Sequence, residues 1–339
     1  MKRPYFLAIC FILFLLVSCK EEQAVNLVFE KFPKEEVIKP LEFKTEASIL
    51  APVSLCISGS SLIVPQRQTD SIITVFSLPL ETEKYYTYGK MGNGPTDLNE
   101  SMYFRQIIPE EQGFCLLSLN NHTLNYFKIS DNEIVREPEN DKVLDESEIL
   151  NNFISLGNQS FAYSAPFGDE HEFYIHKEGQ KDPLKVGTMP LWHKFSADPM
   201  ELPFIYLKSC VAKPDGDRFV SFYCYFKRFR IYSKEGDLIR EVTVENGEKE
   251  ELDKNSSNWK FYYSHMPVAT DHYIFMLADS ESVEGTKDLQ VFNWDGEPIA
   301  KYNLAKNVQS IAYDSQRKKL YGCSDEHENT IFIYALDKL

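Results

Sequence analysis

The chain has 339 residues, 43% hydrophobic and 14% aromatic, enough to bury the core of one large all-β domain. Its 51 acidic residues against 36 basic ones give a formal net charge of −15. A surface that acidic repels phosphate, which sets nucleic acid and anionic lipid aside as partners. The basic run Lys227-Arg228-Phe229-Arg230 reads as the solvated side of a strand and leaves that balance unchanged.

Lys2 and Arg3 precede an apolar run from Tyr5 to Val17 that is short for a bilayer span, and Leu16-Val17-Ser18-Cys19 follows. Residues 1–18 are therefore expected to be a signal peptide. The Leu-Val-Ser-Cys end resembles the bacterial lipobox, in which the cysteine thiol forms a thioether to diacylglycerol before cleavage. That resemblance makes Cys19 the lipidation site and the new N-terminus. Lys20-Glu21-Glu22 is similar to the short export signal of Bacteroidetes lipoproteins. It implies an outer-membrane location, anchored through the lipid alone and exposed at the cell surface. Residues 19–26 then read as a tether and 27–339 as the folded domain.

Six period-2 hairpin units recur along the chain. The clearest is Leu289 to Leu304, two alternating runs joined by Asp295-Gly296, which predicts a type I′ turn. Arg228 to Val242 is a close copy with Glu235-Gly236. Looser copies centre on Val75, Tyr126, Tyr174 and Ile333. The centres are roughly 42 to 60 residues apart, the spacing of propeller blades, so the fold expected is an all-β six-bladed β-propeller. After Thr330 to Ala335 the chain ends one strand short. Val25 to Phe32 also reads as a strand, so the ring is expected to close with this N-terminal segment.

Between the blades, Thr188 to Leu202, with Trp192, and 245–260 are long connections. Gly89-Lys90-Met91-Gly92-Asn93-Gly94-Pro95-Thr96-Asp97-Leu98 forms another. This last stretch resembles a signature of the TolB-like six-bladed propeller lipoproteins of Bacteroidetes, although Asp97-Leu98 stands where that family often has Glu-Phe. The resemblance implies an envelope propeller with no established reaction. No helix pattern follows the glycines, as a phosphate loop requires, so they read as a sharp turn between blades. Gly92, Asn93, Gly94 and Trp192 are the candidate ligand contacts on that face.

Asp169-Glu170-His171-Glu172 and Asp325-Glu326-His327-Glu328 are the same tetrapeptide twice. Asp169, His171, Asp325 and His327 are the candidate metal ligands, since carboxylates with imidazole can coordinate. Each also precedes a third strand, and repeat symmetry then accounts for the likeness. No G-x-S-x-G elbow or spaced nucleophile–base set is present, so no catalytic residue and no cofactor is assigned. Cys56, Cys115, Cys210, Cys224 and Cys323 lie in strand-like runs and read as small buried hydrophobes. The function expected is a non-catalytic binding or scaffold module for an envelope protein or glycan. The alternative is a metal-dependent hydrolase or lyase of the six-bladed lactonase type.

Overall fold

The computed structural model of the protein describes residues 25–339 except 68–70, 82, 91, 93–97, 99–101, 120–121, 131–132, 145–150, 158, 167, 194, 196, 246–251, 253–255 and 338. It begins with three short strands, β1 (Val25–Val28), β2 (Glu35–Val37) and β3 (Leu41–Lys44). Blade 1 is β4 (Cys56–Ser58), β5 (Ser61–Pro65), β6 (Ile73–Ser77) and β7 (Tyr85–Tyr88). Blade 2 is β8 (Met102–Glu110), β9 (Gly113–Ser118), β10 (Thr123–Ser130) and β11 (Glu133–Arg136), with β12 (Lys142–Val143) also on β10. Blade 3 is β13 (Asn151–Ser155), β14 (Phe161–Ser164), β15 (His171–His176) and β16 (Leu184–Thr188). A single helical turn, α1 (Leu202–Ile205), precedes blade 4, which is β17 (Lys208–Ala212), β18 (Arg218–Tyr223), β19 (Arg228–Ser233) and β20 (Leu238–Thr243). Blade 5 is β21 (Val268–Ala269), β22 (Tyr273–Asp279), β23 (Lys287–Asn293) and β24 (Pro298–Asn303). Blade 6 contributes β25 (Ser310–Asp314), β26 (Lys319–Cys323) and β27 (Thr330–Ala335). The protein is a six-bladed β-propeller, and the six repeat centres read from the sequence all fall in third strands.

Hydrophobic clusters occupy the spaces between successive blades. Phe222 and Phe229 of blade 4 meet Ile274 and Phe292 of blade 5, and Leu289 and Tyr302 meet Ile311 and Phe332 of blade 6. Blades 6 and 1 join through Tyr321 and Leu62, blades 1 and 2 through Val75 and Phe114. Leu117 with Phe153, and Phe173 with Phe219, complete the ring. Each buried Phe or Leu contributes about 1.5–3 kcal/mol relative to exposure, so the abundant strand aromatics are explained first by packing between blades. The five cysteines among the described residues are buried as thiols. Burial pushes the Cys56, Cys210 and Cys323 thiols up to about 12.

The N-terminal segment closes the ring, but not with the stretch read from the sequence. The fourth strand of blade 6 is β3, antiparallel to β27 with Leu41 opposite Ile333. β1 lies parallel to β20 as a fifth strand of blade 4, and β2 lies parallel to β24 as a fifth strand of blade 5. The segment thus straps three consecutive blades from outside. The reason is in the side chains. Phe29 and Phe32 find an apolar seat against Phe292 between blades 4 and 5, whereas the outermost position of blade 6 needs no apolar strand. Leu41, Glu42 and Lys44 there are all exposed.

The repeated hairpin turn is also not type I′. Only Gly296 of the Asp295-Gly296 pair has a positive φ, +82°. Its amide donates to the Asn293 carbonyl at 3.1 Å, and the Asn293 amide donates to the Glu297 carbonyl at 3.1 Å. This is a type I turn followed by a left-handed glycine, with the ladder shifting register at Val291/Phe292. Asn293 Oδ1 accepts from the amides of Asp295 and Glu297, which favours the tighter turn. Blade 4 repeats the arrangement, with Ser233 in the place of Asn293 and Gly236 in that of Gly296.

Candidate functional site

Propeller topology sorts the loops. Connections from second to third strand, and from one blade to the next, leave at one end of the ring, and the remaining hairpins leave at the other. The residues 89–98, 189–207 and 324–329, and the loop between β14 and β15, therefore share one face. The candidate residues Gly92, Trp192, Asp169, His171, Asp325 and His327 all belong to it. Asn93, Gly94 and Cys19, the expected lipidation site, lie outside the described residues.

The 89–98 connection folds back on itself. The Leu98 amide donates to the Lys90 carbonyl at 2.9 Å, and the Gly92 amide donates to the Leu98 carbonyl at 3.2 Å. Leu98 is buried in the cluster between blades 1 and 2 and lies so near Gly89, φ +75°, that a Cβ there would meet Leu98 Cδ1 at 2.8 Å. Among the described glycines of this stretch it is Gly89 that takes the left-handed turn.

Trp192 anchors the 189–207 connection. Its ring meets Tyr223 edge-on with centroids 4.8 Å apart and also packs on Tyr206 and Phe226. The guanidinium groups of Arg228 and Arg230 lie 5.0 and 5.2 Å from the ring centroid. Trp192 Nε1 donates to Glu241 Oε1 at 3.1 Å, and its amide donates to the Tyr206 hydroxyl at 2.8 Å. Outward from this locked aromatic base, Leu191 is 79% exposed, Phe204 61%, Met200 55% and Phe261 48%. Phe261 leans on Tyr225 with centroids 4.8 Å apart, and Tyr225 in turn meets Trp259. Tyr262 and Tyr263, which follow Phe261, are buried and bonded to Gln290.

Behind the aromatic base sits an ionic core that the sequence reading missed. Glu172 is fully buried. Its Oε2 lies 3.1 Å from Arg230 Nη1 and its Oε1 lies 3.2 Å from Lys208 Nζ, while the phenols of Tyr223 and Tyr232 donate to it. Arg230 also pairs with Glu241 at 2.7 Å. Burial alone raises the Glu172 pKa, but the two cations and two phenols outweigh it and hold the carboxyl below its ordinary value. The basic run is thus not the solvated side of a strand. Arg230 and Lys227 are both 8% exposed, Lys227 pairs with Glu281, and Arg228 stacks on Trp192. A charged residue amid Phe173, Tyr174 and Ile175 was the available signal.

The two Asp-Glu-His-Glu segments are not equivalent by repeat. The first enters β15, which starts at His171, whereas the second ends before β27 starts at Thr330. In the first, Asp169 holds the His171 Nδ1 at 2.7 Å, accepts from the Tyr174 hydroxyl, and pairs with Lys185 at 3.0 Å. In the second, Glu326 Oε1 accepts from Asn307 Nδ2 at 2.7 Å, and the Asp325 amide donates to Gln309 Oε1 at 2.7 Å. Among the described residues, no three His, Cys, Asp or Glu side chains are arranged to hold a metal ion.

The central channel encloses a cavity of about 470 Å³ walled by all six innermost strands. Among the described residues its wall is mainly apolar, with Glu110 and Lys213 as the charged residues and no histidine.

No family model matches the chain, and no curated protein matches it in sequence. Solved structures share the fold. One is a protein of Bacteroides fragilis classed as exported, 10% identical with a TM-score of 0.56, the match covering 91% of this chain and 99% of that one. Another is a member of the DUF4221 family from Bacteroides vulgatus, 13% identical with a TM-score of 0.50, covering 87% and 97%. At such identities the likeness is one of fold.

Proposed function

We propose that the protein is an envelope lipoprotein, anchored through Cys19, whose propeller binds a protein partner on the face carrying the interblade connections. One observation carries this reading: Leu191, Met200, Phe204 and Phe261 are exposed on the connections of the face where Trp192, Tyr206 and Tyr223 form a packed aromatic cluster. Rigid apolar side chains presented to water are the usual anchors of protein interfaces. The signal segment and lipobox support export, and the fold shared with an exported Bacteroides protein accords with it. A TolB-like envelope propeller is the family this reading resembles. The hydrolase or lyase alternative has less support, because among the described residues the cavity wall offers Glu110 as its one carboxylate.

The test is photo-crosslinking in cells from position 204, with position 178 on the opposite face as control. A discrete adduct from 204 alone is expected; equal labelling from both positions would overturn the reading. Cys19→Ala should abolish lipid labelling, and unchanged labelling would remove the anchor.

A further inference from the structure

One hydroxyl ties the two ends of the 189–207 connection together. Tyr206, which follows α1, is fully buried, and its oxygen accepts from the Trp192 amide at 2.8 Å and the His193 amide at 3.3 Å. His193 Nδ1 lies 2.5 Å from the same oxygen. A hydroxyl carries one proton and two acceptor lone pairs. Both lone pairs face amides here, so the proton is donated to Nδ1, and His193 is the neutral tautomer with its hydrogen on Nε2. Burial raises the Tyr206 pKa, which keeps that proton on the phenol throughout the range in which a histidine titrates.

Among the described residues, nothing around the ring favours a positive charge. Phe195 and Tyr206 flank it, with centroids 5.1 and 5.6 Å away. The charges that act on the Tyr206 hydroxyl from β19 are Arg230 and Arg228, both cationic. The carboxylates nearby are engaged elsewhere: Glu241 by Arg230 and Trp192 Nε1, Glu172 by Arg230, Lys208 and Tyr223. Asp198 and Glu201 accept from amides of the connection's own turn. Burial holds the His193 pKa below its ordinary value. The neutral ring thus belongs to the tied state, whose stability is complete above the ordinary histidine value of about 6.5 and is lost as pH falls through the lower one.

We propose that His193 is an acid-released latch: once protonated, Nδ1 becomes a donor facing a hydroxyl with no lone pair to offer, and residues 192–193 come free of Tyr206 while the propeller stays folded. The latch acts in the free chain. It therefore stands or falls apart from the protein-binding reading, although the connection it ties carries Leu191, Met200 and Phe204 of that face.

The test is amide exchange followed by NMR on the full mature chain carrying Cys19→Ser, at about pH 7.5 and about pH 5, with rates corrected for intrinsic exchange. The lower pH stays above the range in which Glu172, held below its ordinary value, loses its charge. Protection of the Trp192 and His193 amides should fall roughly three- to tenfold on acidification, the worth of one hydrogen bond, while the amides of β19 keep theirs. Ring nitrogen shifts at the higher pH should show the hydrogen on Nε2. His193→Phe and Tyr206→Phe keep the ring packing and should show protection that no longer depends on pH, with near-ultraviolet circular dichroism confirming the fold. Equal wild-type protection at the two pH values, the same fall in His193→Phe, or a hydrogen on Nδ1 at the higher pH overturns the proposal. So does an equal fall across β19, which is general acid unfolding.

Discussion

Glu172 Oε2 on blade 3 lies 3.1 Å from Arg230 Nη1 on blade 4, and neither group is open to solvent. Removing one member of a buried pair strands the other charge, at a cost of about 3–5 kcal/mol. Glu172→Leu, which leaves both Arg230 and Lys208 without their carboxylate, is expected to lose stability on that scale in urea unfolding.

The same pair fixes a pH dependence. The Glu172 pKa in the folded chain is depressed, while in the unfolded chain it is about 4.3. Its contribution is therefore complete above the unfolded value and is lost as pH falls through the folded one. Urea midpoints of the wild type should fall faster on acidification below about pH 4 than those of Glu172→Gln. Parallel curves would show that the carboxylate does not carry the effect.

Gly236 sits against Val186 of the preceding blade, as Gly296 sits against Val242: an added Cβ would lie 2.5 Å from Val186 Cβ and 2.7 Å from Val242 Cγ2. Gly179 has a similar positive φ but nothing within 4 Å of such a Cβ. Gly179→Ala should cost only the left-handed backbone penalty, about 1–2 kcal/mol. Gly236→Ala should cost clearly more, and the difference between the two melting shifts measures how tightly the turn presses on blade 3. Equal shifts would mean that Val186 yields freely.

The blades were legible in the sequence because each third strand alternates over four or more residues between turn residues, as at Phe229 to Tyr232 and Leu289 to Phe292. What escaped detection depends on residues distant in the chain. Arg230 looks solvated until Glu172, 58 positions earlier, is placed beside it. Asp-Gly fits two turn types, and the choice rests on Asn293 two residues before Asp295. The closing strand β3 is four residues long and mostly exposed, so its pattern is weak, while the stronger apolar pattern of Leu27, Phe29 and Phe32 belongs to the strap. Of the candidate site, the face could be read from the repeat, but the packing that locks Trp192 could not.

The strap and the closure separate on truncation. A chain starting at Lys34 loses β1 and Phe32, which is 3% exposed, and should lose about 3–5 kcal/mol, as for deletion of a buried Phe. It keeps β3 and should elute in the same oligomeric state as the untruncated chain. A chain starting at Glu46 also loses β3 and leaves β27 an open edge, which should drive self-association visible in size-exclusion chromatography. If both truncations elute alike, β3 is not what closes the ring.

Trp192 distinguishes an anchor from a ligand contact. Its ring is held by Tyr206, Tyr223 and Phe226, and its Nε1 by Glu241, so its role in the free protein is to fix the 189–207 connection. Because it is only partly buried, Trp192→Ala should cost about 2–3 kcal/mol, less than the 3–5 typical of a fully buried aromatic. The larger effect should be local. With the ring gone, Tyr206, Tyr223 and Phe226 lose their shared partner, and chymotrypsin should cut within 189–207 well before the propeller unfolds. Trp192→Phe keeps ring packing and gives up one hydrogen bond, about 0.5–1.5 kcal/mol, so cleavage should stay slow. A Trp192→Ala protein with unchanged melting and unchanged cleavage would show that the indole does not brace the loop and is free to meet a partner.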